Sequence, residues 1–379
     1  LQKYIQPMLD SHAFAYSLLL LKSHQITKLK KFQNWKQEPL GYFSVMNFLS
    51  QVFEEILKEF EELISIDSLS FAERDMADRL KEKLAALGFE VCEDNAGAQE
   101  DGTAGNVYGY LKGTLPGDPI LFSAHMDTVR PGIGKKMFLD ETTGKIESGK
   151  DTILGADDVT GLVEILEAVR HLQEEQIPYR DIEVIFPIAE ELYIKGTDAF
   201  DFSQVKAKEA YVLDMGGAPG AAALRAPSLI SFTVKMHGKA SHAGFAPEQG
   251  IHAIRAVSLA ISRIKQGQVD EDSTLNIGKI SGGEGTNIIP ELCTCEGEIR
   301  SYSHEKALAL MDQLTRTFEK AAEEVGAAVE VTPDIRLIAY DIPKDAPVVT
   351  HFKEACEKLG LAGTLTQTFG GSDNNNFVL

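Results

Sequence analysis

The sequence contains little cysteine, little basic charge and no long apolar run. Its four cysteines are scattered over 379 residues, so we expect no disulfide framework. Cys293 and Cys295 alternate within a predicted strand, which favours packed side chains over metal ligands. No segment approaches the roughly 20 apolar residues that a membrane-spanning helix needs.

The shortage of bases excludes two classes of partner. The chain has 57 Asp and Glu against 37 Lys and Arg, a formal net charge of −20. Nucleic acids and anionic membranes both need a basic surface, so we expect neither as a partner. The length and the 44% hydrophobic content are ordinary for a globular protein of about two domains.

A histidine and a carboxylate lie two residues apart after the apolar run 119–122. They are His125 and Asp127, and the alternation of a strand lets both side chains point the same way. This spacing suits a metal ligand with a carboxylate that orients it. Alone, the pair is more typical of ordinary polar residues at the end of a strand than of a metal site.

Three further acidic clusters occur in the same structural setting. Asp157 and Asp158 precede a helical pattern, Glu190 and Glu191 follow the predicted strand 182–188, and Asp214 follows the predicted strand 210–213. Singly, these residues are typical of a helix cap or a solvated loop. Ligands gather at the carboxyl ends of strands in open α/β sheets, so the combination predicts a metal centre.

The order of these motifs resembles that of the co-catalytic zinc peptidases, which include peptidase T, carboxypeptidase G and the aminoacylases. The similarity is greatest to the peptidase T-like tripeptidases of bacteria, and it runs from about Met46 to the last residue. It also covers the segments 238–244, 285–290 and 370–375.

The resemblance implies a role for each acidic cluster. Asp157 would bridge two zinc ions, with His125 and Asp214 on one ion and Glu191 on the other. Asp127 would hydrogen-bond His125, and the remaining glutamate, Glu190, would be the general base.

Three more residues match substrate-binding positions of the family. The resemblance implies that His242 reaches across a dimer to stabilise the oxyanion in the partner's site, and that Asn287 and Arg300 bind the peptide. A guanidinium can hold a peptide carboxylate with two hydrogen bonds. Without the resemblance, a lone loop histidine and a strand-end arginine would be interpreted as surface residues.

The resemblance therefore implies a cytoplasmic, homodimeric zinc exopeptidase that hydrolyses short peptides, as a tripeptide aminopeptidase does. Deacylation of N-acyl amino acids and carboxypeptidase action remain alternatives, because the same metal ligands serve all three. A further alternative is an inactive relative that survives as a dimerising or binding protein.

The predicted fold class is α/β, with an inserted domain. Residues 46–225 and 345–379 would form the catalytic domain, with helices at 72–87 and 347–359. Residues 226–344 would form a ferredoxin-like dimerisation or lid domain, because the pattern there is β-α-β-β-α-β. Its predicted elements are strands 229–237, 274–280, 291–300 and 328–333 and helices 250–264 and 304–325. Residues 1–45, rich in lysine, resemble a leader outside the fold.

The sequence departs from the family pattern in three places. Val159 replaces the usual lysine, and residues 192–196 replace a glycine-containing turn. The chain also ends at Leu379, before the position of the family's last metal-binding histidine. From this we expect the Glu191 metal to lack one ligand, about one metal per chain, and little activity.

Overall fold

The computed structural model describes residues 53–140 and 142–378. The predicted leader, residues 1–45, lies outside this part of the chain. Among the helices of the described part, none is both long and apolar enough to cross a membrane.

The first part of the chain alternates helices and strands, as the sequence pattern predicts. Its elements, in chain order, are α1 (53–64), α2 (Arg74–Ala86), β1 (Glu90–Glu93), β2 (Val107–Leu111), β3 (Ile120–Ser123), β4 (Met137–Asp140), β5 (Lys145–Ser148), α3 (Ala156–Glu174), β6 (Ile182–Phe186), α4 (Lys195–Asp198), β7 (Ala210–Val212) and β8 (Ala221–Ala226).

Five of these strands form a mixed sheet in the order β1-β2-β6-β3-β7. Strand β3 runs parallel to both β6 and β7, whereas β1, β2 and β6 pair antiparallel. The apolar faces of α1, α2 and α3 contribute to the main core beside this sheet. The pairing brings the carboxyl ends of β3, β6 and β7 to one edge, where the predicted metal centre should lie.

The second part is an antiparallel sheet with two helices. Its elements are β9 (Ser228–His237), β10 (Ser241–His242), α5 (Ala253–Arg263), β11 (Gly267–Gln268), β12 (Ser273–Gly282), β13 (Ile288–Ile289), β14 (Leu292–Ser301), α6 (His304–Val325) and β15 (Ala328–Leu337). The four long strands lie in the order β12-β14-β9-β15, and α5 and α6 pack against each other and against β9 and β14. This is the predicted ferredoxin-like arrangement.

The chain then returns to the first part. The last elements are β16 (Tyr340–Asp341), α7 (Pro347–Leu359), β17 (Thr364–Gln367) and α8 (Asn374–Phe377). Strands β16 and β17 pair with the two sides of β8, which lies just before the inserted sheet. The chain enters and leaves the insertion at neighbouring strands, so the two α/β segments join around it.

The predicted α/β fold class is therefore confirmed, and most element boundaries agree within three residues. Helices α6 and α7 have the predicted bounds, whereas α5 begins at Ala253, three residues later than predicted. Strand β15 continues four residues beyond its predicted end at Pro333, because it pairs with β9 along almost its whole length. Cys293 and Cys295 are free, buried and on one face of β14, as predicted.

Candidate metal centre

The predicted metal ligands come from the ends of neighbouring strands. His125 lies two residues beyond β3 and Asp214 two residues beyond β7, and β3 and β7 pair in parallel, with Ser123 opposite Val212. Glu190 follows β6, the other neighbour of β3. The sheet therefore carries all three side chains at the same edge.

Helix α3 brings the fourth side chain, Asp157, to this edge. Asp157 and Asp158 have non-helical dihedral angles, so the regular helix begins after them and Asp157 is free to turn away from the helix axis. Gly161 permits a close approach to the sheet. A Cβ at that position would lie 2.9 Å from the Leu213 carbonyl oxygen and 2.6 Å from an Asp158 carboxylate oxygen.

His125, Asp157 and Asp214 form a compact group of ligand atoms. One ligand atom from each lies within 4.8 Å of the other two, and His125 Nε2 is 3.1 Å from Asp157 Oδ1. The imidazole is buried, whereas the Asp157 side chain is 71% exposed, so the group opens to solvent on one side. One imidazole nitrogen with carboxylate oxygens is a donor set that suits zinc and similar divalent metals.

The charge around this group favours a bound cation. Burial, together with the nearby carboxylates of Asp157 and Asp373, raises the pKa of Asp214 to about 7. Burial and the same kind of repulsion raise the pKa of Glu190 to about 9, and burial also raises the pKa of Glu191. Carboxyls with raised pKa values gain from a nearby positive charge, so the residues present fit a divalent metal ion.

Asp127 orients His125, although the contact differs in detail from the expected one. The closest contact of His125 Nδ1 is the Asp127 backbone oxygen at 2.9 Å, with the Asp127 carboxylate at 3.3 Å. Both contacts lie on the Nδ1 side of the ring. They leave Nε2 directed toward Asp157, as a metal-ligating histidine requires.

Asp127 also anchors the turn that carries the two glutamates. Its carboxylate accepts hydrogen bonds from the backbone N–H of Glu190 at 2.9 Å and of Glu191 at 3.3 Å, and from the Ser70 hydroxyl at 2.6 Å. The turn is a short 3-10 segment, Glu190–Leu192, with left-handed residues on both sides. A buried carboxylate therefore fixes the backbone on which Glu190 and Glu191 stand.

Asp158 differs from Asp157 in its surroundings. It is buried, and its carboxylate accepts hydrogen bonds from the backbone N–H of His125 and of Gly161, each at 3.2 Å. One member of the acidic pair thus holds α3 against the segment that follows β3, while the other is exposed to solvent. The sequence offers no signal that separates them, apart from the resemblance.

Another buried carboxyl, Asp373, is not among the predicted site residues. It accepts a hydrogen bond from the Thr197 hydroxyl at 2.6 Å, and Thr197 also accepts one from the Asn376 amide. Burial raises the pKa of Asp373 to about 7, and its charge raises that of Glu190. The family resemblance covers the segment 370–375, and this is the signal in the sequence that points to Asp373.

The predicted substrate-binding residues lie in the inserted domain. His242 and Asn287 are neighbours, because β10 pairs with β13 and the Ala243 N–H donates to the Asn287 carbonyl. His242 Nδ1 accepts two backbone hydrogen bonds, from Gly244 and Phe245, each at 3.1 Å. Within the part of the chain that the structure describes, no hydrogen bond joins His242 or Asn287 to the metal-binding group.

Arg300, on β14, contacts the loop that follows β17. Its guanidinium donates to the Phe369 carbonyl at 2.6 Å and to the Glu298 carboxylate at 2.8 Å. Phe369 directly precedes the loop that leads to Asp373. Arg300 therefore joins the inserted sheet to the last segment of the chain.

Two family profiles match parts of this chain. Residues 226–326 match the family described as "Peptidase dimerisation domain", and residues 106–252 match "Peptidase family M28". The first match falls on the inserted sheet and its helices, and the second includes His125, Asp157, Glu190 and Asp214.

Three similar proteins cover most of the chain. A tripeptidase of Staphylococcus aureus has a crystal structure with a TM-score of 0.83 and 34% identity, covering 86% of this chain and 87% of that one. The aminopeptidase PepT of Bacillus cereus gives a TM-score of 0.82 and 37% identity, with the same coverage of the two chains. An uncharacterised Bacillus subtilis protein, YqjE, is 38% identical over 85% of this chain and 86% of its own length.

Proposed function

Since this chain belongs to the peptidase T-like family of metallopeptidases, we propose that it removes the N-terminal residue of short peptides, above all tripeptides, at a zinc centre. Membership of this family makes the protein a metal-dependent peptide hydrolase. The observation that carries the finer proposal is the group formed by His125, Asp157 and Asp214, whose ligand atoms lie within 4.8 Å at the carboxyl edge of the sheet.

The ligand set that we propose follows from this group. His125 and Asp214 would hold one zinc ion, Glu191 the other, and Asp157 both, since its carboxylate is exposed and lies 3.1 Å from His125 Nε2. Bound there, the metal supplies positive charge that acidifies a water and stabilises the oxyanion formed at the scissile carbonyl.

Glu190 is the proposed general base. Its carboxyl stands next to the proposed ligand Glu191 and keeps its proton in the metal-free chain, since burial and the charges of Asp373 and Asp214 raise its pKa to about 9. Positive charge in the site favours its ionised form. The carboxylate can then take a proton from the attacking water and deliver it to the leaving amine.

Asp127 supports both tasks without touching the substrate. Through His125 Nδ1 it keeps Nε2 directed at the metal position, and through two backbone amides it holds Glu190 and Glu191. Such outer contacts fix ligand orientation, which sets both metal affinity and the geometry of the proton transfer.

Substrate binding is assigned to the inserted domain. We place the peptide carboxylate on Arg300 and Asn287, and the oxyanion on His242 of a second copy of the chain, so the active unit is a homodimer. The two backbone N–H groups that donate to Nδ1 of His242 support this role, because they leave the ring proton on Nε2, where it can be donated.

The proposal also includes the domain division and the location in the cell. Residues 46–225 and 345–379 would form the catalytic domain, residues 226–344 would form the dimerisation domain, and the protein would lie in the cytoplasm. N-acyl-amino-acid deacylation, carboxypeptidase action and an inactive binding protein are not favoured, because a tripeptidase and an aminopeptidase are among the similar proteins of known structure.

A substrate panel tests the proposal. The purified chain is stripped of metal, reloaded with zinc, and given a tripeptide, its N-acetyl form, its C-terminal amide and the matching dipeptide. Whatever the absolute rate, we expect the free tripeptide to be hydrolysed fastest of the four compounds, with zinc-dependent release of its N-terminal residue. The N-acetyl form should be hydrolysed much more slowly, because an aminopeptidase requires the free amine.

The alternatives predict other products. Preferential cleavage of an N-acyl amino acid would indicate an acylase, and release of the C-terminal residue a carboxypeptidase. Zinc binding without hydrolysis of any of these compounds would contradict the proposed function.

A further inference from the structure

Glu73 is a buried glutamate with no role in the site described so far. It lies immediately before α2 and is fully buried. Its Oε1 accepts two backbone hydrogen bonds, from the N–H of Phe71 at 2.8 Å and from the N–H of Ala189 at 3.1 Å. The second of these crosses to the residue directly before Glu190.

Both backbone donors belong to residues in the left-handed region. Phe71 has φ +66° and Ala189 has φ +49°, a conformation that is sterically unfavourable for a non-glycine residue and persists only where the surroundings hold it. The Glu73 carboxyl therefore stabilises two strained positions together.

Glu73 and Asp127 together connect the same two segments. Ser70 and Phe71 donate to Asp127 and Glu73 respectively, while Ala189 donates to Glu73 and the next two backbone N–H groups donate to Asp127. Two neighbouring carboxyls thus hold residues 70–71 against the turn at 189–191. One of these carboxyls also orients the proposed metal ligand His125.

The second oxygen of Glu73 has an unusual environment. Oε2 is buried and has no hydrogen-bond partner among the described residues. Burial, with the charge of Asp127 facing it, raises the pKa of Glu73 to about 7. Only one oxygen of this side chain accepts hydrogen bonds. An uncharged glutamine, which has nearly the same shape and keeps one accepting oxygen, could therefore replace it.

We propose that Glu73 is a positioning residue for the general base: by accepting the Ala189 N–H, it fixes the backbone from which Glu190 reaches the substrate. Glu73 touches neither metal ligand nor substrate in this arrangement. The expected effect on catalysis rests on the proposed role of Glu190. The claim that Glu73 fixes the backbone at Ala189 does not depend on that role.

Three substitutions of Glu73 separate its shape from its charge. Glu73→Gln retains the accepting oxygen, Glu73→Asp withdraws it by one methylene, and Glu73→Ala removes it. Each variant is compared with wild type by steady-state kinetics on a tripeptide and by hydrogen exchange of the peptide that covers residues 187–197. Glu183→Ala is the matched control, because Glu183 is also fully buried but accepts from Lys206 and Ala207 instead.

In Glu73→Ala and Glu73→Asp, we expect the amide hydrogens of residues 187–197 to exchange at least about tenfold faster than in wild type. Both variants should lose roughly 10²-fold in kcat, with KM changed less than about threefold. Glu73→Gln should stay within about fivefold of wild type in both measurements. Glu183→Ala should loosen residues 206–207 and leave the 187–197 exchange unchanged.

Three outcomes would overturn the proposal. They are unchanged exchange at 187–197 in both Glu73→Ala and Glu73→Asp, a Glu73→Gln variant as impaired as Glu73→Ala, and a Glu183→Ala variant that loses kcat to the same extent. If Glu73→Ala does not fold, Glu73→Asp against Glu73→Gln decides. A wild-type chain without peptidase activity would refute the proposed function, while the exchange comparison would still test Glu73.

Discussion

Removal of metal should make the stability of this protein fall as the pH rises from 5 to 8. The reason is the crowded acidic group at the edge of the sheet, in which Asp214 is the clearest member. Its pKa is raised from 3.8 to about 7 by burial and by neighbouring carboxylates. The folded chain therefore holds a proton that the unfolded chain releases.

The sign and size follow from this difference. The contribution of Asp214 is fully present below pH 3.8 and is lost as the pH rises through about 7. At about 1.4 kcal/mol per pH unit, the whole change is about 4 kcal/mol, of which about 3 kcal/mol falls between pH 5 and 8. Carboxyls with lowered pKa values, such as Glu93 at about 2, are ionised in both states over this range and do not contribute.

Urea unfolding of the metal-free protein at pH 5 and pH 8 measures the effect, with Asp214→Asn as the matched variant. The amide does not titrate, so the variant should lose about 3 kcal/mol of the pH dependence. Saturating zinc should remove or reverse the slope, because metal binds the ionised carboxylates more tightly at higher pH. A metal-free protein that is equally stable at both pH values, or an Asp214→Asn variant with the wild-type slope, would refute the reasoning.

Three other substitutions give distinct results. Glu190→Gln should keep its metal, because Glu190 is not a proposed ligand, yet lose roughly 10²–10⁴-fold in rate, measured by metal analysis and tripeptide hydrolysis; a rate near that of wild type would contradict the general base. Arg300→Ala should raise KM for free tripeptides far more than for their C-terminal amides, and equal effects on both would make Arg300 a link between domains only. Asp373→Ala should lower the free energy of unfolding by about 1 kcal/mol, since it leaves the buried Thr197 hydroxyl only the more distant Ile194 carbonyl as acceptor, and a calorimetric melting temperature equal to that of wild type would argue against this contact.

The sequence alone predicted the fold because its apolar periodicity and the packing agree. The β-α-β-β-α-β pattern led directly to the inserted sheet, and helices at 304–325 and 347–359 have the predicted bounds. The predicted end of this strand at Pro333 is wrong, because proline is typical of a strand end but is also tolerated within an edge strand such as β15. Ile335 and Leu337 continue the apolar alternation beyond it.

Residue types and their spacing predict where the candidate site lies, but not the surroundings of its individual side chains. Four acidic clusters after apolar segments indicated where a metal centre would lie, but the different surroundings of Asp157 and Asp158 depend on how α3 meets β3. Glu73 could not be found in this way. Its contact with Ala189 joins residues 116 positions apart, and nothing in the local pattern around Glu73 predicts it.

The central claim is that Asp157, with His125 and Asp214, holds the catalytic metal. The most direct test is the zinc content and zinc affinity of Asp157→Ala, measured beside wild type and beside Asp151→Ala, an exposed aspartate six residues earlier. We predict tight zinc in wild type and in Asp151→Ala, and only background zinc in Asp157→Ala. Tight zinc retained by Asp157→Ala at the wild-type stoichiometry would contradict the account.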